Sequence, residues 1–462
     1  MMSWILAAAW AADPAPVRDQ VDWPSVHLET RETLAKYLQI DTRNPPGHER
    51  LGAEFLTAIL DREGIPWKIY GEDPERPNLV ARLTATDPKQ SPLCLMHHLD
   101  VVGWEEAGWA DETGPLSGTV KDGFLWGRGA LDMKGMGILE LQTLLLLKRM
   151  ELPLDRDVIL LAVSDEEIQN TGAETLAKSW AEIGCSHMIN EGGFGVDGGL
   201  FTGQVLHGIS VAEKGVLWFD LVANGAPGHG STPRPGEAPT TLLAAVDRLE
   251  SEPSRHRLTP TTKAFFRAIG EHKGGFTGSV LKNPALLRMF AWKKLLANPA
   301  AKAMLTDTRH VTALHADGGS PNVVPSEARA TFDMRLLPGV SPEDAKHSVE
   351  RRLEGYGVRV EVRQQLTGNG SPQDDPLFRA IAKYAVEGEP RAVAAPMLSI
   401  GFTDSIVLRE KGVHAYGYIP FVIDRDLLGS MHGDNERVPL SELERGLIRL
   451  FSIVVDQAVR GE

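Results

Sequence analysis

The sequence predicts an α/β chain: a mainly parallel sheet with helices on both faces, interrupted by a smaller α+β domain. Three observations carry this expectation. Short, nearly continuous apolar runs (NLVARL, LCLMH, VILLAV, HMIN) alternate with stretches of helical period, as in a sheet buried on both sides. Near Glu213 the order changes to strand, helix, strand, strand, helix, strand, which is the split arrangement of a ferredoxin-like domain. From about residue 367 the strand–helix style returns. A chain of 462 residues exceeds one ordinary hydrophobic core. The larger domain therefore takes residues 26–213 and 367–462, the inserted domain residues 214–366, and residues 1–25 form a tail.

Each element has its own signal. Residues 26–40 and 51–64 carry helical periodicity, and NLVARL then LCLMH read as strands. GILELQTLLLLKRM is apolar enough for a buried helix between LCLMH and VILLAV. In the insertion, VLWFDLVAN, HVTALHA, EARATFDMRLL and VRVEVR are the strands, and APTTLLAAVDRLES and PEDAKHSVERRLEGY the helices. Residues 253–307 add helical material such as ALLRMFAWKKLLA. PLFRAIAKYAVEG, VHAYGYI and a helix from Ser441 close the chain.

Lys plus Arg number 48 against 62 Asp plus Glu, a net charge of −14. That balance argues against nucleic acid and anionic membrane as partners. Cys94 and Cys185 form no metal-knuckle spacing, so any metal must be held by histidine and carboxylate. Cys94 sits in the apolar run PLCLM and reads as a buried, inert thiol, with no disulfide framework evident. The N-terminal MMSWILAAAWAADPAP has a short apolar core and an A-x-A-like AWA, but no Lys or Arg before it. A cytoplasmic and an exported protein are equally compatible with it.

In open α/β sheets, ligands bind beyond the carboxyl ends of the strands. After LCLM comes HHLD, where Asp100 stands two residues beyond His98 and can orient its imidazole. GRGALDMKG places Asp132 before the buried helix. SDEE follows VILLAV with Glu166 and Glu167, NEGG follows HMI with Glu191, and MHGDNE puts His432 in a late loop. Singly, each reads as a helix cap or a surface loop. Together, two histidines and several carboxylates are a ligand set for zinc, cobalt or manganese. A shared Asp with one His and one Glu on each side builds a two-ion site. One carboxylate of SDEE can then ligate while its neighbour takes a proton from bound water.

Two motifs are decoys. GFGVDG at 193–198 fits the spacing of a dinucleotide fingerprint, but no helical period follows it. APGHGST at 226–232 is not G-x-S-x-G and gives no acyl-serine nucleophile.

HLDVV, GRGALDMKG, SDEE, NEGG, EKG, GHGS, NVVP with DMR, and MHGDNE occur in the order seen in the two-zinc aminoacylase and carboxypeptidase family, which the chain resembles from about residue 28 onward. The resemblance implies two divalent metal ions, zinc first, held by His98 and Glu191 on one side and Glu167 and His432 on the other, with Asp132 bridging. It implies Asp100 as the residue orienting His98, and Glu166 as general base and then acid. The insertion would be a lid and homodimerisation domain whose His229 reaches a partner subunit's site and polarises the scissile carbonyl. Asn322 and Arg335 would bind a substrate carboxylate, and Gly401 and Thr403 would line a substrate loop. The implied reaction is hydrolysis, by metal-bound hydroxide, of an amide or peptide bond in an N-acyl amino acid or short peptide. Two positions depart from the family pattern: His97 where a small residue is usual, and Gly103 where Pro is usual. The rival reading is a non-catalytic metal- or peptide-binding relative; intact candidates at every ligand position argue against it.

Overall fold

The computed structural model describes residues 12–198 and 202–461. The tail up to residue 11, with its signal-like run, lies outside them. Among the described residues, no helix is long and apolar enough to cross a membrane. The chain divides into two compact units. The first holds the described residues up to Val211, with Ser371–Pro396 and the chain from Thr403 onward; the second holds Ala212–Gly370 and Met397–Phe402.

A ten-stranded sheet forms the core of the first unit. Its centre is parallel: Val158–Val163, Leu93–His98, His187–Asn190 and His414–Gly417 lie side by side in that order. Outward the pairing turns antiparallel, with Asn78–Leu83 against Val158–Val163 and Trp67–Tyr70 beyond it. On the other side His414–Gly417 meets Val205–Glu213, also antiparallel. The expected mainly parallel sheet is therefore a mixed one. The apolar run NLVARL gives no sign of its direction, because burial on both faces selects the same residues whichever way the strand runs.

Helices do cover both faces. Cys94, Met96, Ile159 and Leu161 pack against Ala173, Leu176 and Trp180 from one side. On the other, the helix Lys134–Arg149 is buried along nearly its whole length. It lies so close to the sheet that a Cβ at Gly137 would come within 2.5 Å of the His97 ring. His97, the departure noted in the sequence, pairs there with Glu140 of that helix at 2.8 Å. Burial pushes the imidazole down to about 3 and the carboxyl up, so the two form a neutral pair. The GFGVDG run crosses a short strand, Gly195–Asp197, and opens no helix.

The cysteines correct the sequence reading. Cys94 and Cys185 form a disulfide with their Cα atoms 5.9 Å apart. Leu93 and His187 are register partners in neighbouring parallel strands, which brings two residues 91 apart in sequence side by side.

In the second unit a four-stranded antiparallel sheet runs in the order Thr308–His315, Glu327–Leu336, Gly215–Asn224, Val358–Leu366. Along Glu327–Leu336 burial alternates strictly. Ala328, Ala330, Phe332 and Leu336 face a core shared with Leu242 and Leu249 of the helix Ala238–Glu250 and with Val349 of Pro342–Arg352. Arg335 points to the opposite face.

Replacing Cys94 and Cys185 by Ala should lower the unfolding free energy by about 2–4 kcal/mol, because the bridge closes a long loop in the unfolded chain. Urea unfolding of the two proteins checks this; coincident midpoints would show that the bridge contributes nothing.

Candidate metal centre

Asp132 is the shared element. It sits on the turn before Lys134–Arg149, and its two carboxylate oxygens face two imidazoles: Oδ1 is 3.1 Å from His98 Nε2, and Oδ2 is 3.0 Å from His432 Nε2. His432 Nε2 also lies 3.1 Å from Glu167 Oε2, and His98 Nε2 lies 3.9 Å from Glu191 Oε1. Two triads result, His98–Asp132–Glu191 and Asp132–Glu167–His432, each with donor atoms within 4.8 Å of one another. All five side chains expected as ligands are thus brought together. Glu166 is half-buried and belongs to neither triad.

The electrostatics of this cluster call for cations. Burial raises Glu166, and the charge of Glu191 raises it further. Burial and then Asp132 raise Glu167 and Glu191. Asp132 goes the other way: burial opposes its ionisation, but the imidazoles of His432 and His98 override that. Glu167 Oε1 is buried with no hydrogen-bond partner. Two imidazole nitrogens and carboxylate oxygens, one of them unsatisfied, fit divalent ions of the zinc, cobalt or manganese type.

The local chain path explains the placement. His98 Nδ1 lies 2.9 Å from the main-chain carbonyl of Asp100, an acceptor that leaves Nε2 free as a ligand. The Asp100 carboxylate is 3.6 Å from that ring and does something the His-x-Asp spacing does not suggest. It accepts the amides of Glu166 (3.2 Å) and Glu167 (3.1 Å), and the side-chain amide of Asn44 (3.0 Å). Asp100 therefore orients His98 through its backbone and the acidic turn through its side chain. The third acid of that turn, Asp165, leaves the site. It adopts a left-handed φ of 63° and is held by Arg76 at 2.7 Å and Asn44 at 2.8 Å. On the Asp132 side, buried Glu436 accepts the amides of Gly129, Leu131 and Asp132 and pairs with Arg128 at 2.6 Å. Sequence reasoning assigned no role to Asn44, Arg76, Arg128 or Glu436. Arg128 and Glu436 left a signal, the first inside GRGALDMKG and the second four residues after His432 in MHGDNE.

Thr403 is buried in the first unit, and its hydroxyl accepts the Ser405 amide at 3.1 Å. The remaining expected residues lie in the second unit. The Gly228–His229 strand pairs with Val323–Val324, and Gly230 N–H donates to Asn322 O at 2.8 Å, so His229 and Asn322 are neighbours. The Ser231 amide donates to His229 Nδ1, which leaves Nε2 to carry the proton of the neutral ring. Arg335 is gripped by Asp333 at 2.7 Å, and its guanidinium lies 4.9 Å from the Phe402 ring centre, beside Gly401.

Strand ends of an α/β sheet that converge on a shared aspartate between two histidines define a metallohydrolase. Comparison with known proteins places it further. The sequence profile of the peptidase family M20/M25/M40 matches residues 94–456, and the chain belongs to that family. Its relatives include human N-fatty-acyl-amino acid synthase/hydrolase PM20D1, 29% identical over 382 residues that cover 80% of this chain and 75% of the relative. A Dictyostelium discoideum protein named "Probable carboxypeptidase S-like 2" is 26% identical over 382 residues, 80% of this chain and 72% of that one. The crystal structure of an M20 family metallo-carboxypeptidase from Sulfolobus solfataricus shares the fold, with a TM-score of 0.72 at 19% identity, covering 92% of this chain and 98% of that one.

Replacing Asp100 with Ala should release the Glu166–Glu167 turn and weaken zinc binding about 10–100-fold in a calorimetric titration; affinity within twofold of the parent would refute the clamp. The metal-free protein should also bind zinc more tightly as pH rises. Hydrogen bonds that the protonated His432 ring donates to Asp132 and Glu167 hold it up at about 10, so below that pH the metal must displace a proton. An affinity independent of pH across the neutral range would contradict this.

Proposed function

We propose that this chain hydrolyses the amide bond of an N-acyl amino acid, or of a short peptide, that carries a free carboxylate. The observation that carries the reading is the division of labour between adjacent residues: Glu167 lies in a ligand triad, while Glu166 stays outside it with its carboxyl pushed up. A carboxyl raised above the usual carboxylate range, beside a ligand triad, is suited to accept a proton and to return it.

His98, Glu191, Asp132, Glu167 and His432 would hold two divalent ions, with zinc the first choice. Such ions lower the pKa of a bound water and polarise a carbonyl. Glu166 takes the proton of the attacking water on a carboxylate oxygen and delivers it to the departing nitrogen. Asp100 fixes the turn on which Glu166 sits, so the proton carrier keeps its place while its charge changes. His229 would reach the site of a partner subunit and donate its Nε2 proton in a hydrogen bond to the carbonyl oxygen as negative charge develops there. Arg335, pre-oriented by Asp333, receives the substrate carboxylate together with Asn322, a task that suits a planar guanidinium. Gly401 and Thr403 belong to the substrate loop, and the second unit serves as lid and dimerisation module. The human relative named for N-fatty-acyl amino acids makes a long-chain acyl amino acid the first substrate to try.

The test is Glu166→Gln. Turnover of N-acyl amino acids and dipeptides should fall by about 10²–10⁴-fold while zinc content stays that of the parent. Undiminished turnover, or loss of the metal along with activity, would remove Glu166 from the proton-carrying role.

A further inference from the structure

The strand His187–Asn190 has chemistry at both ends. Glu191, just past its carboxyl end, belongs to the centre described above. At its other end stands His187, and beside it His414 begins the neighbouring parallel strand. The two are register partners in the sheet, so their Cα atoms are fixed side by side by the backbone ladder. Asp375 completes the group from a third element, as the N-cap of the helix Pro376–Ala385. Its Oδ1 accepts the Leu377 amide at 2.8 Å, which holds the carboxylate still. Its Oδ2 is 3.2 Å from His187 Nε2 and 2.8 Å from His414 Nδ1.

We propose that His187, Asp375 and His414 form a further transition-metal site, at the amino ends of two neighbouring strands, one of which carries Glu191 of the candidate catalytic centre at its carboxyl end. The donor set is two imidazoles and one carboxylate, with all three donor atoms within 4.8 Å of one another. Such a set selects zinc, nickel, copper(II) or cobalt over magnesium and calcium, which prefer oxygen alone. The rings meet at 80° with centres 5.2 Å apart, so their nitrogens converge on the carboxylate from different directions. His187 has an outer partner of the kind metal-bound imidazoles use, the Ser186 hydroxyl 2.7 Å from Nδ1. Asp375 is buried, whereas the His414 side chain is 40% exposed. One side of the group is therefore open to solvent, giving an ion a route in and leaving room for water as its remaining ligand. The three ligands stand on two strands and a helix start, which a bound ion would tie together.

The experiment compares zinc stoichiometry in chelator-stripped full-length protein, in the variant His187→Gln/His414→Gln and in the variant His98→Ala/His432→Ala. Glutamine retains a hydrogen-bonding amide beside Asp375 but is a poor ligand, and circular dichroism melts establish that each variant is folded. The glutamine variant should bind one equivalent fewer than the parent and keep its hydrolytic activity within twofold. The alanine variant should lose the candidate catalytic ions and keep one equivalent. With copper(II) added to the alanine variant, the electron paramagnetic resonance spectrum should show nitrogen ligation. Equal stoichiometry in the parent and the glutamine variant, or no nitrogen-ligated copper in the alanine variant, would overturn the proposal and leave a metal-free His–Asp–His hydrogen-bonded clamp. Both readouts are independent of whether the catalytic reading holds.

Discussion

Asp100 joins the two chain segments on which the centre depends. Its carbonyl faces the ring of His98 and its carboxylate takes the amides of Glu166 and Glu167. Those segments follow neighbouring parallel strands, Leu93–His98 and Val158–Val163, so their ends already lie close. What the sheet does not supply is rotation: which way the imidazole turns, and which way the acidic turn presents its side chains. Asp100 supplies both, the first through its main-chain carbonyl and the second through a fully buried carboxylate that accepts three hydrogen bonds. Asn44 extends the arrangement, bridging Asp100 to Asp165, and Arg76 neutralises Asp165.

Three acids in a row at a buried strand end would be costly if all three faced the same way. The chain separates them. Asp165 turns back into an Arg76–Asn44 cradle, Glu167 enters a ligand triad, and Glu166 is left with its carboxyl raised by burial and by Glu191. The same logic recurs on the Asp132 side, where Glu436 sits fully buried because Arg128 and three backbone amides satisfy it. At Asp165 and Glu436 negative charge is thus balanced by protein groups, whereas around the two triads the imidazoles and the expected ions must do it.

His98, Glu167 and Glu191 were legible because each follows an apolar run that reads as a buried strand, and open sheets bind at strand ends, whereas Asp132 and His432 were legible through the motifs GRGALDMKG and MHGDNE. Strand direction was not legible: NLVARL and LCLMH have the same character, yet one runs antiparallel to its neighbour and the other parallel. The Cys94–Cys185 bridge, between residues 91 apart, was hidden because nothing in the intervening chain reveals that two strands pair in that register. Asn44 and Arg76 lie in loops without periodicity, and their roles exist only once Asp100 and Asp165 have been placed. His187, Asp375 and His414 carry no motif at all; they meet through a parallel ladder closed by a segment from the far end of the chain.

The spacing of the ligands along the chain has a consequence for biosynthesis. The His98–Asp132–Glu191 triad is complete once residue 191 has left the ribosome. The Asp132–Glu167–His432 triad waits for the loop at 431–436, which follows the whole second unit. A nascent chain thus holds the residues of the first triad alone while residues 192–431 are made. The two halves of the centre come into being at different times, and the shared Asp132 must hold its place with one histidine long before the other arrives.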